Sequence, residues 1–235
     1  MSFEPFGKQH VATLGILLLT GFAVVWLARR GSTSQQAWLG RALGLVLFSY
    51  AVVVYIQKGL AGELSWEYTL PLELCHVVLF ACVVSLFRPT PLLSEIAYFW
   101  GAAGTLQATL TPELGEGFPS WEFVLFFWSH GGILLAITFL IAQGFRPRPR
   151  AVLRMLVAVN GYALAIGAVD AAFGWNYGYL CRKPARPSLL DFLGPWPWYL
   201  LSLELVALLS FCLLDLPFRL RLAGKPFGRA RKDSS

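Results

Sequence analysis

Hydrophobic positions along this chain come in long unbroken runs rather than in stripes. Seven runs stand out: Val11–Ala28, Ala42–Ile56, Leu70–Phe87, Ile96–Leu110, Phe123–Phe145, Met155–Phe173 and Trp196–Leu216. A helix that is apolar all round needs apolar surroundings on every side. A bilayer core of about 30 Å takes ~20 helical residues, so most of the runs fit a span, and the second and fourth are short. The alternation that marks a membrane barrel is missing. The pattern predicts an all-α polytopic membrane protein: a single domain over residues 1–235 forming a seven-transmembrane-helix bundle, with a basic tail over 218–235.

Composition agrees with the pattern. The chain is 57% hydrophobic and 14% charged, where a soluble domain carries roughly 25% charged residues. The first run is long, lacks a dominant basic segment before it, and is followed by Arg29 and Arg30. It therefore reads as a span, not a cleaved leader.

Basic residues set the orientation. Arg29, Arg30, Arg41, Arg88, Arg146, Arg148, Arg150, Arg154, Arg219, Arg221, Lys225, Arg229, Arg231 and Lys232 fall on one side, and Lys8, Lys58, Arg182, Lys183 and Arg186 on the other. The positive-inside rule then puts the N-terminus outside and the C-terminus in the cytoplasm of a cell (plasma) membrane. The net charge of +6 is topology signal plus attraction of the tail for anionic inner-leaflet lipid, and calls for no nucleic acid. The outer loops collect Trp66, Trp121, Trp175, Trp196 and Trp198. The longest loop, residues 174–195, is rich in Gly, Pro and aromatics and is suited to fold back over the outer face.

Placed on this topology, the polar residues inside the runs share a level. Cys75 and His76 lie about 8 Å below the outer boundary, and His130 about 10–13 Å, at 1.5 Å per residue. Glu73, Gln107, Asp170 and Glu204 fall at comparable depth, and Asn160 lies deeper. Ionisable groups in a bilayer cost several kcal/mol each unless they face the bundle interior or water. The slab predicts a polar pocket in the outer half of the membrane.

A thiol becomes a nucleophile when an imidazole takes its proton. Cys75 with His130 meets that need, and His76 is the rival base. Glu73, Asp170 or Glu204 could orient the imidazole. Gln107, Asn176 or a Trp indole could donate to an oxyanion. Plainer readings stand beside each role. Free cysteine is a common apolar filler, as Cys82 and Cys212 read. His130 could bond between helices, and His10 reads as interfacial. Cys75 could pair with Cys181 in an oxidising compartment. No zinc-binding spacing occurs, and no cofactor is expected. Retinal requires a Schiff-base lysine within a helix, and every lysine is at or beyond a run's end. A small-solute or proton-coupled transporter using Asp170 and Glu204 is the alternative to an enzyme.

The stretches "LPLELC", "SHGG", "NYGYLCRKP" and "SLLDFLGPWPWYLL" resemble the YwaF-like family of bacterial integral membrane proteins, over about Leu70 to Pro217. That family is similar to a vertebrate transmembrane acyltransferase of phospholipid remodelling, which works through a cysteine thioester. The resemblance implies that Cys75 is the nucleophile and His130 its base. It also implies a phospholipid donor, a lysophospholipid acceptor and a bacterial membrane. Distant relatives hydrolyse lipid esters, so water as acceptor stays open.

Overall fold

A computed structural model describes residues 2–184 and 189–222. Arg186 and the tail from residue 223, with Lys225, Arg229, Arg231 and Lys232, lie outside the described residues. Among those described there is no β-strand. The elements are α1 (Lys8–Arg30), α2 (Thr33–Leu60), α3 (Trp66–Thr69), α4 (Leu74–Phe87), α5 (Pro91–Leu110), α6 (Trp121–Ala142), α7 (Ala151–Phe173) and α8 (Trp198–Leu222), with 3₁₀ turns at Tyr177–Tyr179 and Leu189–Leu193.

Five helices, α1, α2, α6, α7 and α8, are long and apolar enough to cross a membrane. Their outward faces are greasy: Leu19 is 72% exposed and Leu164 77%. Apolar surface of that extent needs a cover, which fits a multi-pass membrane protein. The seven apolar runs map onto seven helices, and α3 is one extra turn. Two of those seven miss the length or hydropathy of a span. α4 has 14 residues, about 21 Å of helix at 1.5 Å per residue. α5 is diluted by Ser94, Glu95, Thr105 and Gln107.

Two boundaries differ from the hydropathy reading for local reasons. α2 begins nine residues earlier than its apolar run, because Ser32 and Gln35 form a capping box: Ser32 N–H donates to Gln35 Oε1 at 2.7 Å, and Gln35 N–H to Ser32 Oγ at 3.3 Å. A polar first turn is thus helical by capping rather than by hydrophobicity. The third run breaks at Leu70–Glu73, where a tight turn with Pro71, closed by Leu72 N–H donating to Leu70 O at 2.8 Å, separates α3 from α4.

α4 is the centre of the bundle. Seven of its fourteen residues are buried, and it packs against α2, α5 and α6. α1 covers α6 and α2, while α7 and α8 pack on each other and on α5. The "SHGG" glycines permit this density. A Cβ on Gly132 would sit 2.6 Å from Leu47 Cδ2, and one on Gly131 2.7 Å from Leu17 Cδ2. Leu47 is wholly buried, so it has no room to yield. Gly132→Val should therefore lower stability by about 1–3 kcal/mol through overpacking, read as an earlier unfolding transition in detergent. An unchanged transition would refute this role.

At the arginine-rich end, Glu95 ties three helices together. Its Oε1 accepts from Arg148 N–H (2.9 Å) and Arg148 Nε (3.1 Å), and its Oε2 from Arg148 Nη2 (2.8 Å) and Arg154 Nη1 (2.7 Å). Arg219 of α8 joins through its bond to Arg148 O at 3.0 Å and its pair with Asp215 at 2.7 Å. His10 points into the protein. It is fully buried, accepting from Phe6 N–H at Nδ1 (2.9 Å) and reaching Thr109 O from Nε2 (2.9 Å).

Candidate functional site

The break at Leu70–Glu73 decides where the thiol sits. Glu73 is the residue before α4, with extended backbone (φ −62°, ψ 144°), so Cys75 is the second helical residue and His76 the third. The first N–H groups of a helix have no intrahelical acceptor. His76 N–H donates to Glu73 O at 2.9 Å, whereas the amides of Leu74 and Cys75 take no acceptor among the described residues. Cys75 is accordingly at the positive end of a helix dipole. It is free and exposed, yet ringed by protein. Glu73, Tyr50, Tyr162 and Tyr179 all lie within electrostatic reach of its sulfur. Cys181 is likewise unpaired.

His130 is oriented from its own helix. Its Nδ1 lies 3.0 Å from Phe126 O and 3.0 Å from Ser129 Oγ, and the ring stacks on Phe126 at 4.2 Å between centroids. A carbonyl can only accept, so the Phe126 contact places the proton on Nδ1 and leaves the Nε2 lone pair open. The orienting group is a backbone carbonyl, not one of the carboxylates. His130 is close enough to His76 to act on it electrostatically, and Tyr50 lies beside Ser129 while also reaching Cys75. These neighbours bring α2, α4 and α6 to one place. Cys75 and His130 share no hydrogen bond. His76 is turned toward Tyr50, Tyr55 and Lys58, lining a cavity of ≈ 20 Å³ with its Nδ1 buried and unpartnered. That space holds about one water.

The loop after α7 does fold back over this site. Tyr177 Oη accepts from Leu70 N–H (3.1 Å) and donates to Trp66 O (2.9 Å), and Gly178 N–H donates to Glu73 Oε2 (3.1 Å). Tyr162 of α7 bonds Leu72 O at 2.6 Å. Burial, aided by the Glu73 carboxylate, pushes the Tyr177 and Tyr179 phenols up, so Tyr177 keeps the proton that it donates to Trp66 O. Tyr179 holds φ 56°, a left-handed conformation that costs a non-glycine residue energy, and its carbonyl is gripped by Tyr199 Oη. Asn176 serves this loop rather than an oxyanion. Its Oδ1 accepts from Cys181 and Arg182 N–H, and its Nδ2 donates to Arg182 O. Tyr177→Phe should strand two backbone groups, at about 1–3 kcal/mol. Hydrogen exchange across residues 66–73 should then quicken, and unchanged protection would count against the clamp.

The acidic residues separate. Asp170 is 1% exposed, with both oxygens buried and no hydrogen-bond partner of good geometry; it lies within electrostatic reach of Glu73 and Tyr162. Glu204 is elsewhere. Its Oε1 accepts from Asn160 Nδ2 at 2.9 Å, and Asn160 is ten residues below Asp170 on α7, about 15 Å at 1.5 Å per residue. Equal counting from helix ends misplaced it, because α8 does not start level with the end of α7. Gln107 is exposed and bonds Thr111, the residue that caps the end of its own helix, at 3.2 Å. Neither joins the Cys75 neighbourhood. Among the described residues no three His, Cys, Asp or Glu side chains gather as metal ligands.

A family model, the TMEM164 family, matches residues 5–215, from before α1 to within α8. The chain belongs to the TMEM164 family. No curated protein and no solved structure matches it. In this TMEM164-family chain several groups around Cys75 and His130 carry no motif signal: Tyr50 and Tyr162 near the sulfur, and the Phe126 carbonyl at the imidazole. Tyrosines near a membrane boundary read as belt residues, and a backbone carbonyl has no sequence signature.

Proposed function

We propose that this protein is a seven-pass, N-out membrane enzyme that moves a fatty acyl chain from a phospholipid to a lysophospholipid through a Cys75 thioester. What supports this reading is an accessible thiol in the first turn of α4 and, on α6, an imidazole whose Nε2 is left free, with Tyr50 reaching both Cys75 and Ser129 beside that imidazole. The likeness of "LPLELC" and "SHGG" to a thioester-forming acyltransferase supports it, as does the basic-residue asymmetry for the orientation. A bacterial plasma membrane is the setting the YwaF-like resemblance implies.

In this reading His130 Nε2 takes the Cys75 thiol proton, and the thiolate attacks the ester carbonyl. The Leu74 and Cys75 amides receive the oxyanion. Collapse breaks the C–O bond, the His130 proton goes to the departing lysolipid oxygen, and the acyl group stays on sulfur. A second lysolipid hydroxyl, or water, gives its proton to His130 and attacks the thioester, returning the thiol. Catalytic hydrogen bonds often tighten only once substrate is bound, so the pair need not touch beforehand.

The test is intact-protein mass spectrometry after incubation with phospholipid. An acyl-mass adduct, hydroxylamine-sensitive and mapped to Cys75, is expected. Its absence alongside active acyl transfer would overturn the mechanism.

A further inference from the structure

The arginine-rich end holds a second site, far from Cys75. A cavity of ≈ 320 Å³ lies between the start of α5 and the α6–α7 loop, with Thr90, Glu95, Leu140, Phe145, Arg146 and Arg148 in its wall. Its charge does not balance. Glu95 is engaged by both Arg148 and Arg154, which leaves one surplus positive charge. Arg146 adds another, for it is exposed and has no partner among the described residues. The acidic side has nothing more to offer, since Glu95 is the wall's one carboxylate and both its oxygens are occupied.

The neutral groups point the same way. Thr90 Oγ1 is buried without a hydrogen bond, although a residue in its position before α5 would ordinarily cap the helix. A buried hydroxyl without a partner costs free energy, and it is a donor an anion could use. Leu140 and Phe145 make part of the wall apolar. Leu92, next to the lining Pro91, is 45% exposed, so the cavity borders the greasy outer surface. Surplus arginine charge suits phosphate, which guanidinium groups bind by paired donors. The apolar margin suits the chains attached to it.

We propose that this cavity binds the phosphate of an anionic lipid headgroup, in the leaflet at the arginine-rich end. The site is built by the start of α5 and the α6–α7 loop rather than by the tail, and it stands independently of the acyl-transfer reading.

The experiment uses the full chain in nanodiscs of phosphatidylcholine with a minor fraction of phosphatidic acid, followed by native mass spectrometry. Selective retention of phosphatidic acid is expected. Arg146→Gln, which touches no structural contact, should cut retention roughly fivefold, with circular dichroism unchanged; adding Thr90→Val should cut it further. Equal retention by the double variant overturns the proposal. So does loss of retention only when residues 223–235 are removed, which would assign the lipid to the tail. Stabilisation by inorganic phosphate alone as strong as that by phosphatidic acid would replace the lipid with a soluble phosphate.

Discussion

Cys75→Ala is expected to abolish acyl transfer, by about 10³-fold or more, while leaving the bundle intact. The magnitude follows from losing the atom to which the acyl group bonds, with only positioning and oxyanion stabilisation left. The fold should survive because the side chain is exposed and unpaired, so truncation opens no sealed cavity. Cys75→Ser tests the chemistry more finely. A hydroxyl keeps the shape but needs a far stronger base, so activity should stay near the alanine level. His130→Ala should cost a comparable factor, and the double variant should be no worse than either single one, since the two act as a unit. Cys212→Ala, on an exposed face of α8, should leave transfer unchanged. The readout is transfer of a labelled acyl chain in reconstituted vesicles. Full activity in Cys75→Ala would end the thioester mechanism.

Glu95→Gln is expected to be the most destabilising polar substitution, by about 3 kcal/mol. Glu95 is 1% exposed, whereas its partners Arg148 and Arg154 are 43% and 32% exposed at their side chains. Removing the carboxylate strands charge at a shared point, but the arginines can reach water in part. The cost should therefore fall at the lower end for a broken buried pair. Glutamine retains one acceptor oxygen where four bonds now converge, and α5, α7 and α8 lose their common tie. Unfolding in detergent should shift accordingly, and Arg219→Ala, at the margin of the tie, should shift it less. A Glu95→Gln protein as stable as the parent would show that helix packing alone holds this end.

Hydropathy by itself determined the class of molecule and the rough place of every long helix, because burying twenty apolar residues in lipid outweighs any local preference. Cys75 and His130 stood out through the likeness of their motifs rather than through hydropathy, since free cysteine packs readily in apolar runs and an imidazole can simply bond between helices. Local hydrogen bonding escaped hydropathy: the capping box that lengthens α2 and the break before α4 depend on backbone geometry at single residues. Glu95 escaped too, since one charge at the edge of a run looks like a loop residue until two distant arginines converge on it. The grouping of the slab was decided only by tertiary structure. Counting residues from each helix end assumes level ends, and the Asn160–Glu204 bond shows that α7 and α8 are offset. Depth along one helix is a local property that sequence carries, whereas which side chains share a depth depends on how separate helices slide and tilt when they pack.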